Sequence, residues 1–474
     1  MVSKTNTVVI AGTDIRPVAV EVDISPGLFD LNIVGMASKE IIESKKRIYS
    51  AITNSGFKMP SGRIIVNLAP ADIPKTSTGF DLPIAVGILT ASKQIEIKTD
   101  DKVFWGELSL NGELLYSKGV MAIALEKTAL KNKMLVIPLL NADEALICKC
   151  WKVMTLKSLG DINAPFEVKT AGIKTYKDPE RDNYLNNKIL NNFKFVRAIL
   201  ISSVGRHNLL TIGPAGVGKT YMLRAVEHIQ DQLKEEDFYE VNKIYSIAGL
   251  IQDNMQFYPP FRSLHHTITQ TALIGGGSRF RVGEISLAHK GFLFLDELNL
   301  FSSNNIDLLR QPLEDGYIFI QRGGYNYKLP CDFTLLATMN PCPCGHFGST
   351  IEECKCTSYD KSRYWSKINK PMLDRIDLQM FVGNQKLFSK EEISLGELKA
   401  KLMLAKQFRK ERDRYPFSHK ASNIIDRATT SFRISLRGRK KLISVAKTIA
   451  DLDNSYTVDE NHVSEALSFR TNII

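Results

Sequence analysis

Along the first third of the chain the period of the hydrophobic positions changes repeatedly. Runs rich in β-branched residues at Thr7 to Ile10, Val18 to Val22, Ile64 to Asn67 and Met134 to Ile137 read as strands, and the pattern from Lys39 to Ser55 reads as a helix. This alternation predicts an α/β domain over 1–165. From Val168 to Asn192 the chain turns polar, with Lys174, Lys177, Asp178, Pro179, Glu180 and Arg181 among many asparagines and no apolar period able to bury a face. A linker is expected over 166–192. Strands and helices alternate again from Asn208 to about Val382, whereas Ser389 to Ser468 reads as helices broken at Gly438 and Ser455. That places a second α/β unit at 193–385 and a helical unit at 386–474, with no short-period repeats.

Composition narrows the classes. At 474 residues the chain exceeds one ordinary domain of roughly 100–200 residues. Its 44% apolar and 24% charged residues exclude wholesale disorder, collagen and coiled-coil arrays. The net charge of +11 suits an anionic partner, and serves solubility equally well. No stretch reaches the roughly 18 consecutive apolar residues of a membrane span, and the first residues lack the build of a signal peptide, so a cytoplasmic protein with no membrane partner is expected. Four of the seven cysteines, Cys342, Cys344, Cys354 and Cys356, crowd together, which fits a secreted disulfide framework poorly.

The strongest chemical signal is an apolar strand running from Asn208 into Gly213, Pro214, Ala215, Gly216, Val217, Gly218, Lys219 and Thr220, then into a helix. In this G-x-x-x-x-G-K-T pattern the glycines let backbone N–H groups close around phosphates at a helix N-terminus. Lys219 brings charge to the β/γ-phosphates and the Thr220 hydroxyl ligates Mg²⁺. The alternative, a glycine-rich turn with an incidental lysine, does not need the strand and helix that flank it.

A second apolar run, Gly291 to Leu295, ends in Asp296 and Glu297. Alone, an acidic pair after a strand is commonly a helix cap. Following a phosphate loop it predicts Mg²⁺ held through Asp296 and an attacking water polarised by Glu297, hence hydrolysis. A third strand, Phe333 to Asn340, ends in an amide suited to orienting that water. Arg375 then stands between Asp374 and Asp377, either as an ordinary helix-cap ion pair or as the arginine that a ring ATPase lends to its neighbour.

Longer matches make a resemblance specific. Ile33-Val-Gly-Met, Val66-Asn-Leu-Ala-Pro-Ala-Asp72, Phe80-Asp-Leu-Pro-Ile-Ala85, Ala272-Leu-Ile-Gly-Gly-Gly-Ser278, Gly283-Glu-Ile-Ser-Leu-Ala-His289, Leu309-Arg-Gln-Pro-Leu-Glu-Asp-Gly316, Asn340-Pro-Cys-Pro-Cys-Gly345 and Leu373-Asp-Arg-Ile-Asp377 occur in order. Over residues 7 to 470 the chain resembles the magnesium-chelatase-like AAA+ ATPases of the ComM/YifB type. The resemblance implies an α/β P-loop AAA+ core with a presensor hairpin and a helical lid, preceded by a ribosomal-S5-like, Lon-protease-like α/β domain. It also marks Asn340 as sensor 1, Arg375 as the arginine finger and Arg437 as sensor 2.

Departures from the pattern carry expectations of their own. Where Lon-type domains place a catalytic serine this chain has Gly79, and near the position of their lysine it has Met121, so the N-terminal domain is read as non-catalytic; Ser77 and Lys75 are weak substitutes. Relatives usually carry an Asp-Val-x-Gly-Gln-like stretch shaping the adenine pocket. Here 186–197 differs, which predicts altered nucleotide affinity or preference with the chemistry intact.

Within loop 342–356, Cys342, Cys344, Cys354 and Cys356 offer four thiolates suited to a structural Zn²⁺, with free thiols or a disulfide as the alternatives. Arg279, Phe280 and Arg281 at one glycine-rich tip, and Arg322 and Lys328 on a hairpin turning at Gly323-Gly324, are candidates for DNA contact, against the alternative that hairpin aromatics simply pack. Taken with the resemblance, the expected protein is a homo-oligomeric ring ATPase, hexameric, using ATP and Mg²⁺ to move on single-stranded or branched DNA. Branch migration in recombination and natural transformation is the implied role. The rivals are a protein-remodelling or chelatase-like motor indifferent to DNA, and a non-motor nucleotide switch.

Overall fold

A computed structural model describes residues 2–126, 133–148, 152–164, 166–168, 181, 185, 189–190, 192–252, 255–277, 280–322, 325–383, 392–412 and 414–470. Most of the polar stretch 166–192 lies outside them.

The first 168 residues build a mixed sheet. Its elements are β1 (Val2–Ala11), β2 (Asp14–Ser25), β3 (Asp30–Val34), α1 (Lys39–Asn54), β4 (Arg63–Ala69), α2 (Asp81–Ala91), β5 (Lys102–Phe104), a short α3 (Val120–Ala124), β6 (Met134–Pro138), β7 (Val153–Leu156) and β8 (Phe166–Val168). The strand order is β8-β7-β6-β5-β1-β2-β4-β3. The alternation of Thr5, Val20, Val22, Ile64 and Val66 into the interior follows from the strand period of two, and α2, apolar nearly all round, is buried against that face. Because β8 pairs with β7 through Phe166↔Thr155, the sheet continues three residues into the stretch read as linker.

The second half begins with α4 (Phe193–Gly205), whose N-terminus is capped by the Asn192 side chain accepting from Phe195 N. There follow β9 (Leu209–Ile212), α5 (Lys219–Ile229), α6 (Glu235–Ala248), β10 (Phe261–Leu264), β11 (Phe292–Leu295), a hairpin of β12 (Tyr317–Arg322) and β13 (Tyr325–Pro330), β14 (Thr334–Met339) and β15 (Leu378–Phe381). The sheet is β10-β11-β14-β9-β15, parallel throughout. Its central strands are buried along their whole length and mostly apolar, as a sheet covered on both faces requires. Four helices close the chain: α7 (Leu395–Glu411), α8 (His419–Ser431), α9 (Leu436–Leu452) and α10 (Glu460–Ser468), with α7 and α9 packed on α4.

The two halves share a core. Phe238, Val241, Ile244 and Tyr245 of α6 join the apolar cluster of the first sheet, and α6 lies against α3. Ser246 donates to the buried Glu144 at 2.8 Å, and its carbonyl accepts from Gly119 N at 2.9 Å. Among the described residues no helix is long and apolar enough to cross a membrane.

Candidate active site

Parallel strands deliver their loops to one edge, and here β9, β11 and β14 end side by side. The loop after β9 turns at Gly216 (φ 81°) and Gly218 (φ 78°), left-handed positions that favour glycine, and α5 starts at Lys219. Val217 anchors the loop in the core. Lys219 Nζ donates to Gly213 O at 2.6 Å, Pro214 O at 2.8 Å and Asn340 Oδ1 at 3.2 Å. Burial lowers the lysine pKa to about 8, against the pull of Asp296 and Glu297. Ala215 N donates to Gly345 O at 3.2 Å, which ties the phosphate loop to the cysteine loop.

Thr220 Oγ1 donates to Asp296, 3.0 and 3.2 Å from its two oxygens. A hydroxyl and a carboxylate meeting at a helix N-terminus form an oxygen donor set that fits Mg²⁺ beside phosphates. Glu297 follows in a left-handed conformation (φ 54°), unusual for a residue with a side chain and held there because its N–H donates to Thr338 Oγ1 at 3.0 Å. The same hydroxyl donates to Asp296 Oδ1 at 2.5 Å. Thr338 therefore fixes both carboxylate residues, a role the sequence reading missed because it sits unmarked inside a strand of otherwise mostly apolar residues. Lys219, Thr220, Asp296, Glu297 and Asn340 lie together at this edge.

Arg375 and Arg437 are elsewhere. Asn208, just before β9, donates from its side chain to Arg375 O and from its N–H to Asp377, so Arg375 sits where β9 begins, whereas the phosphate loop sits where it ends. The intervening four-residue strand spans about 13 Å. Arg437, in the first turn of α9, lies with Arg375 against Glu314.

The four sulfurs of Cys342, Cys344, Cys354 and Cys356 lie within 4.8 Å of one another, and none of these four is in a disulfide. Contacts of 3.3 to 3.7 Å among Cys342, Cys344 and Cys354 approach the roughly 3.8 Å edge of a thiolate tetrahedron around Zn²⁺. The donor set fits that ion.

Of the nucleic-acid candidates, Arg279 lies outside the described residues, as does the Arg322 side chain. Arg281 is exposed. Phe280 packs against Tyr327, ring centroids 5.2 Å apart, which is the packing alternative. The Lys328 ammonium sits 4.2 Å from the centroid of the Tyr317 ring. In the altered segment, Leu190, Phe193, Val196 and Arg197 line a cleft of about 610 Å³ together with Leu404 and Leu452.

In the N-terminal half, a Cβ on Gly79 would meet the Trp105 ring at 2.4 Å, so position 79 has no room for a serine. Met121 is fully buried. The Lys75 ammonium donates to the carbonyls of Gly35 and Pro70, and burial lowers its pKa.

Comparison with known proteins supplies the lineage. Family models described as magnesium chelatase, subunit ChlI, match residues 187–390, 20–141 and, for the C-terminal part, 400–470. The chain is 33% identical to the uncharacterized protein YifB of Escherichia coli, over 97% of this chain and 95% of that one. It is 32% identical to the competence protein ComM of Haemophilus influenzae, over 96% and 94%. The chain belongs to the ComM/YifB family of magnesium-chelatase-like proteins. A magnesium-chelatase 38 kDa subunit of Rhodobacter capsulatus is 25% identical over 30% of the chain and 46% of its own length, so the ComM/YifB similarity extends further than the chelatase one. As in its family, the AAA+-type core is of the kind that uses ATP with Mg²⁺.

Proposed function

We propose that this ComM/YifB protein is an ATP-hydrolysing ring motor that acts on DNA. The observation that carries the reading is the separation of the site's parts: Lys219, Thr220, Asp296, Glu297 and Asn340 at one edge of the sheet, Arg375 and Arg437 at the other. A subunit so built holds half of each of two sites, and a homo-oligomer, hexameric in this reading, completes them.

Lys219 and the N–H groups of Gly216 and Gly218 receive the phosphates. Thr220 and Asp296 hold Mg²⁺, which supplies charge neutralisation when bound. Glu297 takes a proton from the attacking water, Asn340 orients that water, and a neighbour's Arg375 and Arg437 neutralise charge on the γ-phosphate in the transition state. The cysteine quartet holds a structural zinc.

The further readings are a Lon-like, non-catalytic domain at 1–165, a linker at 166–192, the AAA+ core at 193–385 and a helical lid at 386–474. The printed name of the Haemophilus relative, a competence protein, supports DNA as the substrate, as do the exposed Arg281 and Lys328.

ATP turnover measured over a range of protein concentrations, with and without single-stranded and branched DNA, tests the proposal. Activity that rises with concentration and with DNA is expected. Stimulation by a protein partner with indifference to DNA favours a protein-remodelling motor. Activity independent of concentration overturns the ring.

A further inference from the structure

Arg375 is fully engaged within its own chain. Its Nη2 lies 2.8 Å from Glu314 Oε1, its Nε donates to Arg310 O at 3.2 Å and its Nη1 to Pro371 O at 2.7 Å. Arg437 Nη2 pairs with the same Glu314 oxygen. One carboxylate thus serves two guanidinium groups and leaves the trio with one excess positive charge.

The surroundings favour an anion there. Arg437 stands in the first turn of the 17-residue α9, which has no acidic residue in that turn, so the positive end of the helix dipole adds to the two arginines. Lys441, one turn on, is taken up by Asp377 at 2.9 Å and by Arg375 O, which leaves Glu314 as the counter-charge. The Glu314 side chain is 31% exposed and that of Arg437 47%, so the pair opens to solvent.

We propose that Glu314 is an internal stand-in for the neighbouring subunit's γ-phosphate: it parks Arg375 and Arg437 together and is displaced when that phosphate arrives. The inference rests on the reading of Arg375 as a finger acting between subunits. The displacement exchanges one oxyanion for another around the same two guanidinium groups; no covalent bond changes and no proton moves. A phosphate carries more charge than a carboxylate and presents three oxygens, so it can satisfy both arginines at once. Glu314 is therefore a positioning residue that sets how readily an interface fires. It also lies near the root of the hairpin, since only Asp315 and Gly316 separate it from β12, so its displacement bears on the hairpin.

The test uses mixed rings of the full chain. An Arg375→Ala chain keeps an intact phosphate pocket and lacks the finger, whereas a Lys219→Ala chain keeps the finger and lacks the pocket. Turnover in the mixture comes from interfaces where the two complement. Glu314→Gln is then introduced into the Lys219→Ala chain, which hydrolyses nothing itself. With the carboxylate gone, the mixture should reach half-maximal turnover at a total protein concentration about threefold lower or less, because the arginines no longer leave a partner to reach the phosphate.

An unchanged or raised midpoint overturns the proposal. Glu314→Ala, read by the same midpoint, serves if the glutamine variant has a lowered melting temperature. Absence of any turnover in the mixture before Glu314 is altered, with co-assembly verified, overturns the finger reading instead.

Discussion

The ammonium of Lys219 lies 3.2 Å from Oδ1 of Asn340, so the proposed phosphate-binding cation and the proposed water-orienting amide are in contact. Burial holds that ammonium near a pKa of about 8 in the free protein, and phosphates bound beside it must raise the value. Below about pH 8 the lysine is charged both before and after binding, and affinity for ATP is flat. Above it, binding takes up a proton, and affinity should fall by up to about tenfold per pH unit. Titrations with a fluorescent ATP analogue at pH 7 and pH 9.5 check this, and Lys219→Arg should flatten the dependence.

Glu297 and Lys219 occupy the same edge, and the proposed function assigns them different steps. Lys219→Ala should abolish nucleotide binding. Glu297→Gln should retain binding and lose about 10²-fold or more of turnover. Equal turnover in Glu297→Gln and the parent protein, measured by phosphate release, would refute hydrolysis at this site.

Thr338→Val keeps shape and removes the hydroxyl that Asp296 and the Glu297 N–H share. Glu297 then lacks the bond that fixes its left-handed backbone, and a partly buried N–H loses its acceptor, at a cost of about 1–3 kcal/mol in stability. Turnover should fall at least about tenfold. ATP affinity should fall less, because Lys219 and the phosphate loop are untouched; a kcat and KM comparison separates the two effects.

The cysteine quartet predicts one zinc per chain, checked by metal analysis of protein prepared under reducing conditions. Gly345 follows Cys344 directly and accepts from Ala215 of the phosphate loop. Chelation should therefore lower the melting temperature and weaken ATP binding together. Trp365, whose indole donates to Pro341 O at 3.1 Å, should change its fluorescence on the same titration.

Gly79→Ser restores the residue type that a Lon-type nucleophile needs and collides with Trp105. Overpacking of this kind costs about 1–3 kcal/mol. A lowered melting temperature without peptidase activity is the expected result.

What the sequence discloses here is what lies close along the chain. The phosphate loop, the carboxylates after β11 and the amide after β14 are each local runs of strand and turn, and parallel pairing alone aligns their ends. Thr338 was hidden because a threonine in a strand looks like any other strand former, and its value lies in two neighbours on other residues. Glu314 carries no sequence signal of its role, since nothing along the chain links it to Arg375 and Arg437 far downstream. The tight fit of Gly79 against Trp105 is likewise a matter of tertiary packing. An amphipathic pattern states that a helix buries one face without stating what covers it. So it is with α6, which follows the phosphate loop in sequence and packs with the first sheet.

That placement of α6 bears on how the chain is made. Synthesis runs from the N-terminus, and a unit folds when its last core residue has emerged. Phe238, Val241, Ile244 and Tyr245 belong to the core of a sheet whose last strand ends at Val168, and Ser246 is a partner of its buried Glu144. The early sheet thus waits on the ribosome for residues beyond the phosphate loop, with Met121 and its neighbours on α3 left uncovered meanwhile. Cutting the chain after the first sheet would yield a fragment that exposes this apolar face. The first core is therefore complete only when residues beyond the nucleotide-binding loop have been translated.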